Sequence, residues 1–157
     1  MHHTELIRGL IMAGRIELDQ PIQAVATYHD SCYLGRHNRI FDAPREVIEK
    51  IPGLETVEMD RCREYAMCCG AGGGLTWIEE DREHRVNERR VEQAEEALLG
   101  RTNRKHGKPG LLATACPFCM TMLEDGIAAR NTELRALDIA ELVAVAMGLE
   151  HSVARRL

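Results

Sequence analysis

Apolar residues recur along the chain in two rhythms, short runs rich in β-branched residues and longer stretches at helical spacing. Leu6, Ile7, Leu10 and Ile11 fall three and four apart and predict a helix over residues 4–13. Residues 24–29 read as a buried strand. Beyond the Leu34-Gly35 turn, a helix runs over 43–50 with Pro44 in its first turn. Pro52-Gly53 breaks it, and residues 54–59 form a second strand around Val57. A glycine loop, 70–74, leads into a long polar helix over 77–99 whose sparse apolar stripe holds Val86, Val91, Ala94 and Leu98. After a basic loop at 100–110 come a strand (111–115), a helix (117–130), a strand (134–137) and a last helix (139–148). Strands separated by helices predict βαβ units. The expected fold class is α/β: a mainly parallel four-stranded sheet with helices on both faces.

Composition narrows the function classes. The 157 residues amount to one domain, with no internal repeat and no Ser- or Pro-rich linker. Hydrophobic residues make up 45% and charged residues 29%, a globular balance rather than a disordered one. Lys plus Arg number 20 against 25 Asp plus Glu, so no basic excess awaits a phosphate backbone and nucleic acid is not an expected partner. The longest apolar run, 142–149, is far short of the roughly 18 residues of a membrane span. The start, Met1-His2-His3-Thr4-Glu5, lacks the basic and apolar regions of a signal peptide, so a cytoplasmic, reducing setting is expected. There, clustered cysteines bind metal or do redox chemistry more often than they form staples.

The six cysteines are placed informatively. Cys32 follows the first predicted strand, Cys68 and Cys69 the second, and Cys116 with Cys119 the third. Open parallel sheets bind ligands outside the carboxyl ends of their strands. Three loops remote in sequence thus bring five thiols to one edge. Cys116-Pro117-Phe118-Cys119 passes from strand into helix, with Pro117 suited to the first helical position and a thiolate facing the positive helix end. The glycines after Cys69 let the backbone approach and offer N–H groups to an anionic sulfur cage. A structural zinc usually takes two short ligand pairs. One C-x₂-C, an adjacent pair and a distant single cysteine form a different set, as they also do from ferredoxin runs.

Other residues carry weaker signals. Cys62 lies off the pattern and reads as a bystander. His29 and Asp30 either orient the Cys32 loop or cap a turn. His37 reads as a surface residue, and His2 and His3 as a solvated N-terminus. The glycine loop lacks the Lys-Ser or Lys-Thr that closes a phosphate cradle. Arg101, Arg104, Lys105 and Lys108 read as a solvated basic loop.

The run Tyr28-His29-Asp30-Ser31-Cys32-Tyr33-Leu34-Gly35-Arg36-His37-Asn38, then Cys68-Cys69-Gly70, then Ala113-Thr114-Ala115-Cys116-Pro117-Phe118-Cys119, resembles the cysteine-rich CCG module. That module occurs in the B-type and D-type components of heterodisulfide reductase, in iron–sulfur subunits of glycolate and lactate oxidases, and in Fe–S oxidoreductases linking electron-transfer flavoprotein to quinone. Ala43-Pro44-Arg45, Ile51-Pro52-Gly53-Leu54, Trp77-Ile78-Glu79-Glu80 and Arg85-Val86-Asn87 make the last group the most similar. The resemblance implies a noncubane [4Fe–4S] cluster on Cys32, Cys68, Cys69, Cys116 and Cys119, with Gly70 and Gly72 in the binding loop; zinc is the alternative metal. It assigns no catalytic residue.

Implied, too, is an electron-transfer module relaying between a flavoprotein or organic-acid oxidation and a quinone or membrane partner. The alternatives are a disulfide reductase module and a zinc-stabilised interaction module. Cys32 and Cys68 are separated by 35 residues as the family expects, but 46 residues separate Cys69 from Cys116, the surplus falling at 99–110. Ser31 replaces a proline usual in the family. Because such modules come in tandem, residues 1–157 read as a single CCG module, the C-terminal piece of a larger oxidoreductase. Its expected partners are the missing tandem module, a ferredoxin-type or membrane subunit, and electron-transfer flavoprotein. That places it in the cytoplasm, peripheral to the membrane through a partner.

Overall fold

The structure, a computed structural model, describes residues 1–78, 85–101 and 108–149. Helix α1 (His3–Met12) opens on a capping box: the His2 ring accepts from the Thr4 N–H while Glu5 accepts the His2 N–H at 2.8 Å. His2 is therefore a helix cap, not a solvated residue. There follow β1 (Ala24–Tyr28), α2 (Asp42–Glu49), β2 (Leu54–Thr56), α3 (Val86–Leu98), β3 (Gly110–Thr114), α4 (Pro117–Arg130), β4 (Arg135–Asp138) and α5 (Ile139–Ala146). All strand pairings are parallel, in the order β2-β1-β3-β4. The expected α/β architecture is present.

Strand alternation builds two cores. Ala24, Ala26, Tyr28, Leu111, Ala113 and Leu137 face one side and pack with Val47 and Ile48 of α2, Leu142 of α5 and Ile7 of α1. Leu112 and Ala136 face the other, against Val91, Ala94, Met122 and Leu123 of α3 and α4. Helices cover both faces. The chain moves from β1 outward to β2, then crosses back over β1 to β3, so the strand order reverses between β1 and β3. A crevice opens at such a switch point.

Two elements differ from the sequence reading. Strand β2 ends at Thr56; the Val57 N–H still bonds the Ala26 carbonyl, but Met59 then turns into the α3–α4 core. Helix α3 starts at Val86 rather than at 77. Gly73 and Gly74 adopt φ of 68° and 81°, Trp77 closes a short 3₁₀ segment, and Ile78 is extended and solvent-facing. The helix takes its anchor from Asn87, whose side chain donates to the Met122 carbonyl at 3.0 Å. Gly126 lets α4 lie against it, since a Cβ there would stand 3.1 Å from the Asn87 backbone. Residues 102–107 of the surplus at 99–110, Arg104 and Lys105 among them, fall outside the described residues; Lys108 pairs with Glu55. Among the described residues, no helix is long and apolar enough to cross a membrane.

Candidate metal centre

The switch point carries the cysteines. Cys116, two residues past β3, keeps extended backbone at the N-cap position of α4, and Pro117 occupies the first helical position. The pKa of the Cys116 thiol is pulled down to about 6, first by a hydrogen bond from the Cys119 thiol and then by the backbone N–H groups of Cys119 and Phe118, against the opposing effect of burial. These are the orphan donors of a helix start, aimed at a sulfur. Cys119, one turn on, is 2% exposed, and its pKa is pushed up by the neighbouring sulfurs of Cys116 and Cys69, which favour its protonated form, and by burial.

The second pair arrives on the loop beyond β2. Cys69 is 3% exposed, and its pKa is held far below the ordinary range by the neighbouring Cys119 and Cys68 thiols, by His29 and by the Ala71 N–H. Cys68 is pushed up by its bond to Cys69 and by burial, while the N–H groups of Gly70 and Gly72 reach its sulfur, the former at 3.4 Å. Gly70 needs its glycine: φ is +96°, and a Cβ would meet Met122 at 3.2 Å and the Asn87 nitrogen at 3.3 Å. Gly70, Ala71 and Gly72 thus form a nest of N–H donors around two sulfurs. Cys68, Cys69, Cys119 and Cys116 make one row of sulfurs, each shifting the protonation of the next.

Next to the row stands His29, one residue past β1 and 1% exposed. A ring nitrogen of His29 and the sulfurs of Cys69 and Cys119 lie within 4.8 Å of one another, a grouping competent to hold a metal. Burial is the chief reason that its imidazolium form is disfavoured. Arg90, fully buried on α3, donates its Nε–H to His29 Nδ1 at 2.9 Å. Asp30 points the other way, where Arg45 of α2 grips both carboxylate oxygens at 2.8 and 2.9 Å and the Arg63 N–H adds a third bond.

Cys32 lies on the same edge, half-buried at the head of a single π-helical turn, Tyr33–His37, but outside the row. Cys62 is half-buried before a 3₁₀ turn, Arg63–Tyr65, away from the row, and burial raises its pKa. His37 is exposed. Arg90 is the site residue that the sequence pattern does not reveal. Tyr33, Tyr65, Trp77 and Phe118 are exposed on the short turns and the helix start that neighbour the cysteines in the chain.

Soft sulfur donors, backbone N–H groups aimed at them and no carboxylate in the row suit a thiolate-bound iron or zinc centre. This arrangement places the chain in a class, the metal-binding cysteine-rich domains built on a parallel sheet. The chain belongs to the CCG cysteine-rich domain family, whose pattern matches residues 26–124. It is 43% identical over 145 residues to the probable iron-sulfur-binding oxidoreductase FadF of Bacillus subtilis, covering 91% of this chain and 19% of that protein. It is 43% identical over 152 residues to a subunit of the dihydromethanophenazine:CoB–CoM heterodisulfide reductase of Methanosarcina barkeri, covering 97% and 35%. To the EtfAB:quinone oxidoreductase of Syntrophomonas wolfei it is 37% identical over 155 residues, covering 93% and 20%. The chain thus spans about a fifth to a third of the length of these relatives. No solved structure matches it.

Proposed function

We propose that this chain is the iron–sulfur electron-transfer module of a larger oxidoreductase, with a noncubane [4Fe–4S] cluster held by Cys32, Cys68, Cys69, Cys116 and Cys119. The observation that carries it is the row of four sulfurs drawn from two loops, with N–H groups of Gly70, Ala71, Gly72, Phe118 and Cys119 turned toward it. Such donors stabilise negative charge spread over sulfur. Cys32 supplies the fifth ligand from the β1 side. When bound, the cluster supplies a one-electron acceptor and donor. The chain's own residues keep the sulfurs dry on the α3–α4 side and leave the Cys32 side open.

Among the relatives, one is named for electron-transfer flavoprotein and quinone and another for a heterodisulfide. We assign this chain the relay between a flavoprotein or organic-acid oxidation and a quinone-reducing partner, on the cytoplasmic side of a membrane. Residues 1–157 act as one module. The exposed Tyr33, Tyr65, Trp77 and Phe118 supply an apolar rim for a second module to dock over the centre.

The test is metal analysis of anaerobically purified protein. Iron and acid-labile sulfide are expected, lost on Cys68→Ser or Cys116→Ser and kept on Cys62→Ser. A colourless chain loaded with zinc refutes the reading.

A further inference from the structure

Resting on that reading, we propose that Arg90 locks His29 into its Nε2–H tautomer, making the ring a fixed N–H donor to the sulfurs of Cys69 and Cys119 rather than a metal ligand, and so raises the reduction potential of the centre they hold.

The argument starts from a guanidinium that cannot accept a hydrogen bond. Burial lowers the pKa of Arg90 to about 10, so its guanidinium is protonated at neutral pH and the 2.9 Å contact with His29 Nδ1 requires the Nδ1 lone pair to be the acceptor. A neutral imidazole has one proton, and it must then sit on Nε2. That nitrogen is buried without a hydrogen-bond partner in the structure, so it is the one left free to address the sulfurs of Cys69 and Cys119, which lie within 4.8 Å of a ring nitrogen.

The arrangement is the reverse of a ligating histidine. A metal-bound imidazole donates its far N–H to a carboxylate, carbonyl or water. Here the far nitrogen accepts from a cation. Binding a metal through Nε2 would move the proton to Nδ1 and set two N–H donors against each other in a dry interior.

Arg90 itself is held for this task. Its Nη1 donates to the Arg61 carbonyl at 2.9 Å and to Gln93 at 2.7 Å, and its Nη2 is buried without a partner. Among the described residues, none of its hydrogen bonds goes to a carboxylate; the nearby Asp30 is taken by Arg45. A fully buried cation with no carboxylate hydrogen bond draws its favourable charge first from nearby Asp30 and then from the sulfurs of Cys62 and Cys119, the last of them in the row beyond His29. Hydrogen bonds to sulfur and nearby positive charge both stabilise the more electron-rich state. One electron enters the centre, no bond on the ring forms or breaks, and the proton stays on Nε2.

The experiment compares the anaerobic parent chain with His29→Leu, His29→Gln and Arg90→Met by iron and sulfide content and by EPR-monitored titration with dithionite. His29→Leu is expected to keep the parent's iron and sulfide, while its reduction equilibrium shifts at least tenfold toward the oxidised state, 59 mV for a one-electron couple. His29→Gln, which restores an N–H, recovers most of the shift, and Arg90→Met shifts in the same direction as His29→Leu. Loss of iron from His29→Leu, with an altered EPR signal, would make the ring a ligand and overturn the proposal. So would an unchanged potential.

Should His29→Leu fail to fold, ring ¹⁵N spectra of the metal-free parent and of Arg90→Met decide the lock directly. The parent is expected to show the Nε2–H form alone, and Arg90→Met a mixture; an Nδ1–H parent refutes it. A parent chain that takes up no iron refutes the functional reading and the effect on potential together, and the tautomer is still settled by the spectra.

Discussion

Replacing Arg45 by Met should destabilise the chain far more than removing its most visible partner. Arg45 reaches two carboxylates from α2. Toward Asp30 it makes a bidentate pair in which the side chains are 9% and 3% exposed, and toward Glu58 a second pair in which the acid is 46% exposed. Exposed pairs contribute roughly 0–1 kcal/mol, whereas breaking a buried one costs about 3–5 kcal/mol because the surviving charge is left dry. In Arg45→Met, Asp30 keeps only the Arg63 N–H, and the Phe41 carbonyl loses a donor. The expected loss is therefore about 3–5 kcal/mol, a fifth or more of the roughly 5–15 kcal/mol available to a domain. Glu58→Gln should cost less than about 1 kcal/mol.

The assay is urea unfolding followed by circular dichroism, with the slope unchanged so that midpoints report stability. Arg45→Lys should fall between, since an ammonium cannot grip both oxygens of Asp30 at once. Combining Arg45→Met with Asp30→Asn should cost much less than the sum of the two. Equal effects of Arg45→Met and Glu58→Gln, or a loss under about 1 kcal/mol for Arg45→Met, would refute the assignment of the energy to the buried pair.

Two further outcomes follow from the packing and the thiols. Gly126→Ala should cost about 1–2 kcal/mol in the same assay, overpacking Val91 and the Asn87 backbone at 3.0 and 3.1 Å, whereas Gly9→Ala on α1, with nothing within 4 Å, should gain about 0.5–1 kcal/mol. In the metal-free chain, alkylation of Cys116 should rise through about pH 6, far below an ordinary thiol. Because the folded value is depressed, the stability it contributes is complete above pH 9 and lost as pH falls through about 6. An alkylation midpoint near 9 would refute the helix-start geometry.

The parts of the site legible in the sequence are those made by neighbours in the chain. Cys116-Pro117 announces a helix start because proline fixes the first turn, and the glycines after Cys69 announce N–H groups free to approach sulfur. The start of α3 is not legible, because Trp77 and Ile78 look like the opening of an apolar stripe, yet both face solvent. Arg90 is hidden for another reason: its partner lies 61 residues away. A signal exists, since Asn87 and Arg90 fall on the same helical face as Val91, Ala94 and Leu98, so that two polar residues interrupt a buried stripe. Nothing along the chain says what they meet there.

The two-residue period of β1 explains how one strand end serves both a metal centre and a structural ion pair. Tyr28 belongs to the core on the α2 side, and the Arg45 guanidinium lies 5.2 Å from its ring centroid. Asp30, two residues on, points the same way and is neutralised by the same arginine. His29, between them, points to the α3–α4 side, where the sulfurs and Arg90 lie. Had the strand been displaced by one residue, the carboxylate would face the thiolates and the imidazole would face Arg45. Like charges would then meet across the row, and the thiolate forms of the cysteines would be disfavoured. The order His29-Asp30 at the end of β1 therefore sorts charge by face: the imidazole turned toward the sulfurs is a donor, and the nearest anion of the strand is paired on the opposite side of the sheet.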